Sequence, residues 1–298
     1  MQRDDLTGVF APMVTPFGAD DAVLLSGVAE NVRRLNTTGL RGYFVLGTNG
    51  EYKALTTEER LQVLDVVVQH RTPGKVVMAG CGAESTKETI DLARRVADRG
   101  ADFASVLMPS FFAKKMTTEV MVRHALAVAD ASPIPVVLYN NPSVAAGVTI
   151  RFEVLDKLAG HPNIVGIKDS SKDTYRENLR ASSPSFSVLA GSAGYFTDLL
   201  RRGGTGGVLS LANVLPDACV ALYDAFRAGK RDEEERLDRL LVDLNTKVSG
   251  AHGVAGVKAA MTICGFVGGV PRRPFLPLDA DEVKALRGAL EQSGLSGR

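Results

Sequence analysis

One lysine of this sequence, Lys168, ends a run of apolar residues that is typical of a buried strand. Lys168 closes the apolar run that begins at Ile164, and the length and β-branched content of that run are typical of a strand buried on both faces. Burial disfavours the charged form of an amine and lowers its pKa, and a neutral amine can attack a carbonyl carbon to form a Schiff base. A lysine at a strand end can instead reach solvent or pair with the adjacent Asp169. The run by itself leaves both interpretations open.

A glycine-flanked turn follows an earlier apolar run. Gly47-Thr48-Asn49-Gly50-Glu51 comes directly after the run Gly42 to Leu46. Successive backbone N–H groups and a hydroxyl in such a turn can hold a small anion. The same glycines are equally typical of a plain turn between a strand and a helix, where they supply positive φ angles. The turn is therefore a candidate carboxylate site, with Gly47, Thr48 and Asn49 as its binding residues.

Two further apolar runs end in residues that suit the same chemistry. Tyr139 ends the run that begins at Pro135, although a tyrosine there is often only a packed aromatic with a bonded hydroxyl. Gly191-Ser192 follows the run Phe186 to Ala190, and the missing side chain of Gly191 would leave room for substrate beside the amine. Together these groups suit a 2-oxo acid: the turn holds the carboxylate, Lys168 condenses with the ketone, and Tyr139 moves protons.

Eight apolar runs of strand length alternate with helical patterns, and this alternation must position the candidate residues. The runs are Gly8 to Met13, Gly42 to Leu46, Val76 to Ala79, Phe103 to Met108, Pro135 to Tyr139, Ile164 to Lys168, Phe186 to Ala190 and Gly207 to Leu211. Such alternation requires a parallel sheet with right-handed crossovers, and eight units without a long linker predict an α/β fold closed into a (β/α)8 TIM barrel. The carboxyl ends of its strands share one face, where the candidate residues fall.

The chain continues beyond the eighth strand and its closing helix at Pro216 to Gly229. Helical patterns follow at Asp232 to Ser249, Val254 to Gly265 and Asp279 to Gln292. A barrel does not need this tail. Residues 1–229 are therefore predicted to form the barrel, and residues 230–298 a C-terminal helical extension packed on the barrel or on a neighbouring subunit.

Composition argues against several classes of partner and site. With 35 Lys and Arg against 34 Asp and Glu, the chain lacks the basic excess of a nucleic-acid binder or a membrane-surface protein. It has no run of 18 apolar residues and no signal-peptide pattern, which predicts a cytoplasmic protein. Its four histidines are scattered away from the strand ends and its three cysteines lie far apart, so neither a metal site nor a disulfide framework is expected.

Three motifs, in this order along the chain, resemble the dihydrodipicolinate synthase and N-acetylneuraminate lyase family. They are the turn 47–51, the segment Tyr139-Asn140-Asn141-Pro142 and the strand Gly166-Ile167-Lys168-Asp169-Ser170. The resemblance covers nearly the whole chain, including Thr15-Pro16-Phe17 and Ala190-Gly191-Ser192. It implies a class I aldolase or related lyase on a (β/α)8 barrel, acting on pyruvate or another small 2-oxo acid as a homodimer or homotetramer. The covalent Schiff base would replace any cofactor.

The resemblance also implies roles for individual residues. Lys168 is the expected Schiff-base nucleophile, and Tyr139 is the expected proton shuttle. Thr48 and Asn49 are the expected pyruvate carboxylate site. Independently of the resemblance, Thr48 and Ser170 are the next candidates on the same rim for moving protons, should the Tyr139 hydroxyl serve only for packing. The remaining expected substrate-binding residues are Gly47, Ser170, Gly191 and Ser192.

Two departures from the family pattern bear on the substrate. Dihydrodipicolinate synthases carry an arginine two residues after the proline of the Tyr-Asn-x-Pro motif, where it holds the second carboxylate, and this chain has Val144 there. They also lend a tyrosine across the dimer interface from the loop after strand four, where this chain has Phe111-Phe112. Both changes argue against lysine biosynthesis.

The Thr48-Asn49 form of the turn, the segment 161–166 and the segment 189–194 are more similar to the branch acting on 4-hydroxy-2-oxoglutarate and 2-keto-3-deoxy sugar acids. The expected reaction is then retro-aldol cleavage of a 4-hydroxy-2-oxo acid to pyruvate and an aldehyde. Three alternatives stay open: a dihydrodipicolinate synthase, a non-catalytic pyruvate-binding barrel, and an oxidoreductase barrel. A binding barrel would not need both Lys168 and Tyr139, and no cofactor motif supports an oxidoreductase.

Overall fold

Eight strands close into a parallel barrel in chain order. The structure is a computed structural model that describes residues 3–295. Its strands are β1 (Gly8–Pro12), β2 (Gly42–Val45), β3 (Val76–Gly80), β4 (Phe103–Leu107), β5 (Val136–Asn140), β6 (Ile164–Asp169), β7 (Ser187–Ala190) and β8 (Gly206–Val208). The predicted (β/α)8 fold is confirmed.

Helices connect the strands and continue past them. They are α1 (Leu25–Asn36), α2 (Thr57–His70), α3 (Thr86–Asp98), α4 (Thr118–Ala131), α5 (Phe152–Leu158), α6 (Tyr175–Asn178), α7 (Phe196–Arg201), α8 (Pro216–Arg227), α9 (Arg231–Asn245), a π-helical turn (Thr246–Gly250), α10 (Ala251–Ile263) and α11 (Ala280–Gln292). Short 3-10 turns lie at Arg3–Leu6, Tyr52–Ala54, Ala113–Lys115, Pro142–Val144, Leu179–Ala181, Ala193–Tyr195 and Ser210–Asn213. Among residues 3–295, no helix is both long and apolar enough to cross a membrane.

The two strands that carry the candidate lysine and tyrosine are buried along their whole length. Every residue of β5 and of β6 is buried, as expected for parallel strands covered on both faces. Gly166 allows β6 to approach β7 closely, because a Cβ atom there would lie 2.6 Å from the carbonyl oxygen of Ser187. Close strand pairing and complete burial therefore hold the carboxyl end of β6 in place.

Each strand differs from its predicted run by one residue at one or both ends, except that β8 ends three residues early. β6 extends one residue beyond Lys168, because Asp169 still pairs with Asn140 of β5. β8 ends at Val208 and not at Leu211, because the chain turns there into the 3-10 helix Ser210–Asn213, in which Ala212 N–H donates to the carbonyl of Leu209. Tyr139 and Lys168 are the second-last residues of β5 and β6.

Backbone contacts group the described residues into two compact units. One consists of the N-terminal residues up to Gly8 together with 76–191 and 195–207, and it contains β3 to β7. The other consists of 9–75, 192–194 and the residues from Val208 onward, so it joins β1 and β2 to the helices of the tail. The predicted division into a barrel of residues 1–229 and an extension of residues 230–298 stays a prediction.

Candidate active site

Lys168 lies on β6 with its side chain almost completely buried. It is only 4% exposed, it is the register partner of Tyr139 on β5, and its Nζ atom lies 4.0 Å from the centre of the Tyr139 ring. Burial lowers the pKa of Lys168 below that of an ordinary lysine, and the charge and hydrogen bond of Tyr139 oppose this shift. The amine therefore loses its proton more readily than a surface lysine does.

The hydroxyl of Tyr139 is held by a residue that the sequence did not single out. Asn141 Nδ2 donates a 2.9 Å hydrogen bond to the Tyr139 hydroxyl, and Ser143 Oγ donates a 2.7 Å bond to Asn141 Oδ1. A bond donated to the phenol oxygen favours its ionised form. The only signal for Asn141 in the sequence is its place two residues after the tyrosine in the 139–142 motif.

Asp169 joins the end of β6 to its neighbours. Its carboxylate accepts hydrogen bonds of 2.7 to 3.1 Å from Asn140, Thr174, Asn178 and the N–H of Ser171. Burial raises the pKa of Asp169, and these hydrogen bonds oppose the rise. Adjacent residues of a strand point to opposite faces, so the carboxylate serves this network on the face away from the Lys168 amine.

Gly191 packs against Ser170. A Cβ atom at Gly191 would lie 2.7 Å from Ser170 Cβ and 2.8 Å from Ser170 Cα, far inside normal contact. The N–H of Gly191 also donates a 2.8 Å bond to the carbonyl of Asp169. The missing side chain thus makes room for Ser170, and this differs from the predicted reason, which was room for substrate. Lys168, Tyr139, Ser170 and Gly191 all lie in one compact unit.

The turn 47–51 lies in the other unit, after β2. It is closed by bonds from Gly50 N–H to the carbonyl of Gly47 (3.1 Å) and from Glu51 N–H to the carbonyl of Thr48 (3.0 Å). Positive φ angles fall at Leu46 (61°) and Glu51 (51°). The glycines are needed for close packing instead, because a Cβ atom at Gly47 would lie 2.5 Å from the Phe44 ring.

Two candidate side chains of this second unit form hydrogen bonds with other segments of the chain. Asn49 Nδ2 donates a 3.0 Å bond to Ser210 Oγ in the loop after β8. Ser192 Oγ accepts bonds from Gly194 N–H (3.1 Å) and from Asn245 Nδ2 of α9 (3.3 Å). The part of the chain that the structure describes, residues 3–295, holds no group of three or more His, Cys, Asp or Glu side chains that could bind a metal.

The family model of the dihydrodipicolinate synthetase family matches residues 5–293. One relative is a protein of Emericella nidulans named "Probable 4-hydroxy-2-oxoglutarate aldolase, mitochondrial", 33% identical over 98% of this chain and 96% of its own length. The L-threo-3-deoxy-hexylosonate aldolase of Hypocrea jecorina is 31% identical, covering 96% of this chain and 95% of that protein. A 4-hydroxy-tetrahydrodipicolinate synthase of Methanococcoides burtonii is 30% identical, covering 96% of this chain and 98% of that protein.

A solved structure shows the same fold. The E. coli K12 protein YagE, a member of the dihydrodipicolinic acid synthase family crystallised in complex with pyruvate, superposes with a TM-score of 0.90 at 28% identity, over 97% of this chain and 99% of that chain. The chain therefore belongs to the dihydrodipicolinate synthetase family. It is an enzyme of that family's aldolase and lyase type, and the family uses a Schiff base with pyruvate.

The packing of Gly191 gives a stability test. We expect Gly191→Ala to lower the free energy of unfolding by about 1–3 kcal/mol, because the new methyl group collides with the backbone of Ser170 and the structure must shift. Urea denaturation followed by circular dichroism measures the change. Gly160→Ala is the matched control: a Cβ atom there meets nothing within 4 Å, so its stability should stay within about 0.5 kcal/mol of the parent. Equal stability of both variants would contradict the packing argument.

Proposed function

We propose that this protein is a Schiff-base aldolase that cleaves a 4-hydroxy-2-oxo acid, either 4-hydroxy-2-oxoglutarate or a 2-keto-3-deoxy sugar acid, to pyruvate and an aldehyde. The single observation that carries the proposal is the burial of the Lys168 amine beside Tyr139 at the carboxyl end of β6. A buried lysine needs a reason, because desolvation disfavours its charged form, and nucleophilic catalysis supplies one. The names of two relatives support an aldolase.

The proposed reaction begins at the amine. Neutral Lys168 Nζ attacks the C2 ketone of the substrate, and the hydroxyl of the adduct takes a proton from Tyr139 and leaves as water. This step gives a protonated imine and a Tyr139 phenolate. Tyr139 then accepts the proton of the C4 hydroxyl while the C3–C4 bond breaks. The electron pair of that bond moves toward the imine and forms an enamine, and the C4 hydroxyl carbon leaves as an aldehyde. Protonation at C3 and hydrolysis of the imine return pyruvate and the free lysine.

The hydrogen bond from Asn141 supports the proton transfer. A phenol is a weak base for an alcohol proton until its ionised form is stabilised, and the N–H of Asn141 at 2.9 Å favours that form. The carboxylate of the substrate is assigned to the turn at Gly47, Thr48 and Asn49. This assignment rests on the resemblance of the turn to the corresponding turn of the family.

The segment 139–147 at the end of β5, which would meet the far end of the substrate, carries no charged residue. Val144 closes the 3-10 turn Pro142–Val144, and the segment 139–147 contains no arginine or lysine. After β4, Phe111 and Phe112 are 78% and 71% exposed and have no hydroxyl. The loop after β4 also carries Lys114 and Lys115. A second carboxylate finds no cation in the segment 139–147, which disfavours the condensation with aspartate semialdehyde. The same reasoning favours the uncharged hydroxyl tail of a 2-keto-3-deoxy sugar acid over the second carboxylate of 4-hydroxy-2-oxoglutarate.

We also propose a homodimer or homotetramer, which is typical of the family. Phe111 and Phe112 contact each other edge to face, with ring centres 4.8 Å apart, and both are largely exposed in the single chain. Glu84 holds their loop by accepting 2.8 Å bonds from the N–H groups of Ser110 and Phe111. A fixed loop that presents two aromatic rings to solvent suits a contact with a second copy of the chain.

A panel of substrates tests the proposed reaction. We expect pyruvate release from 2-keto-3-deoxy sugar acids and from 4-hydroxy-2-oxoglutarate, and slower condensation of pyruvate with aspartate semialdehyde. Loss of a charge-assisted pair at a substrate site typically costs a few kcal/mol, or on the order of a hundredfold in rate. Condensation faster than every cleavage would instead establish a dihydrodipicolinate synthase. Activity should also survive a chelator, since the Schiff base needs no metal.

Trapping with borohydride tests the nucleophile. Reduction in the presence of pyruvate should leave an adduct on Lys168, located by peptide mass spectrometry, and Lys168→Met should give no adduct and no cleavage. Because burial lowers the pKa of Lys168, the free amine is present at lower pH than in an ordinary lysine. The rate of adduct formation should therefore rise with pH to a midpoint below 10.5, the value of an unperturbed lysine. An adduct on another lysine would overturn the assignment.

Removing the hydroxyl of Tyr139 should separate the two chemical stages. Tyr139→Phe keeps the ring beside the amine, and we expect kcat for cleavage to fall by about 10² to 10⁴, the usual contribution of a general acid–base group. Trapping with pyruvate should fall much less, because no carbon–carbon bond breaks in that reaction. Asn141→Ala should lower kcat by a smaller factor. Cleavage by Tyr139→Phe at the parental rate would make the hydroxyl a packing group only.

A further inference from the structure

Glu51 ends the candidate carboxylate turn in an unusual backbone conformation. Its φ angle is 51° and its ψ angle 37°, a left-handed geometry that costs free energy for any residue with a Cβ atom. The residue is nevertheless only 8% exposed, and a charged side chain is seldom buried unless it is paired. Such a conformation persists only where the surroundings impose it.

Those surroundings come from the tail of the chain, within the same compact unit. Lys258 of α10 is 1% exposed and forms an ion pair with Glu51 Oε1. The other carboxylate oxygen, Oε2, accepts a 2.9 Å hydrogen bond from the N–H of Arg272. Lys258 Nζ also donates a 2.7 Å bond to the carbonyl of Val270. The carboxylate is thus fixed at both oxygens by residues more than 200 positions later in the sequence.

The motif Thr15-Pro16-Phe17 connects these two regions. Thr15 Oγ1 donates a 2.8 Å bond to the carbonyl of Gly50, inside the turn. Val270 N–H donates a 3.0 Å bond to the carbonyl of Phe17. Two cations lie close to the Phe17 ring, with Lys258 Nζ 4.4 Å and the Arg272 guanidinium carbon 4.9 Å from its centre. A single packed network therefore links the turn to the segment that follows α10.

We propose that the buried Glu51–Lys258 pair is a positioning device that holds the turn 47–51 in the shape that binds the carboxylate of a 2-oxo acid. This role rests on the proposed function, since it concerns the substrate assigned to that turn. Lys258 contributes in two ways. It holds the Glu51 side chain, which keeps the left-handed backbone at the end of the turn, and it neutralises an acid that would otherwise repel the substrate carboxylate.

Removal of Lys258 is predicted to weaken the binding of the substrate carboxylate in particular. The test therefore compares pyruvate with methyl pyruvate, whose ester carries no charge. Adduct formation with borohydride is followed against the concentration of each ketone, and the ratio of the two half-saturating concentrations gives the selectivity for the carboxylate. We expect Lys258→Met to lower this selectivity at least about tenfold, chiefly by raising the half-saturating concentration of pyruvate. A change of this size is typical of the loss of one charge-assisted interaction. Thermal unfolding confirms that each variant is folded.

Removing one partner of a buried pair can prevent folding, so variants that remove both charges are also measured. Glu51→Ala combined with Lys258→Met leaves no buried charge but keeps a Cβ atom at φ 51°, and we expect it to lose selectivity as well. Glu51→Gly combined with Lys258→Met should retain more selectivity, because glycine adopts this φ angle without strain. Equal selectivity in the two double variants would contradict the conformational role.

Lys75 provides the matched control. It is a half-buried lysine of the same unit at the other end of β2, where its Nζ donates 2.6 Å bonds to the carbonyls of Thr38 and Leu40. Lys75→Met should lower stability and leave the selectivity unchanged. Parental selectivity in folded Lys258→Met and in the alanine double variant would overturn the positioning role alone. Absence of any adduct in the parent protein would overturn the proposed function and this role with it.

Discussion

The exclusion of water from one amine is the constraint on which the candidate site depends. Lys168 sits on a strand whose six residues are all buried, so its charged form is disfavoured. Desolvation alone would make the residue a defect in the sheet. The amine stays buried because the end of β6 is held in place. Asp169, the next residue, is bonded to β5 through Asn140 and to the helix after β6 through Thr174 and Asn178. The free energy of that network opposes the cost of the buried amine.

The alternation of side chains along β6 places the Lys168 amine and the Asp169 carboxylate in different surroundings. The amine and the carboxylate are neighbours in sequence, yet they point to opposite faces of β6. An ion pair between them would raise the pKa of the lysine and remove the free base. Because the Asp169 carboxylate instead accepts hydrogen bonds from neutral donors, the chain keeps an acid next to the proposed nucleophile without raising the pKa of its amine.

Much of the fold was predictable because parallel strands buried on both faces leave continuous apolar runs, and each of the eight runs overlaps a strand. The candidate residues were found where polar or small residues end such runs. What the sequence could not show were partners set by tertiary packing. The bond from Asn141 to Tyr139 and the contact of Gly191 with Ser170 depend on loop geometry and on the approach of β6 to β7, for which one sequence holds no periodic signal. β8 ends before its predicted end for a different reason, since a local 3-10 turn follows it although the residues are apolar.

The glycines of the turn 47–51 do not have positive φ angles. Glycine near a turn usually indicates a positive φ angle, but here Leu46 and Glu51 take the left-handed conformation and Gly47 is kept small by the Phe44 ring. A strained non-glycine residue stays in place only while distant contacts hold its side chain. Those contacts come from Lys258 and Arg272. The shape of the turn is therefore a property of the folded unit, because α10 and the segment after it hold the end of the candidate carboxylate turn in place.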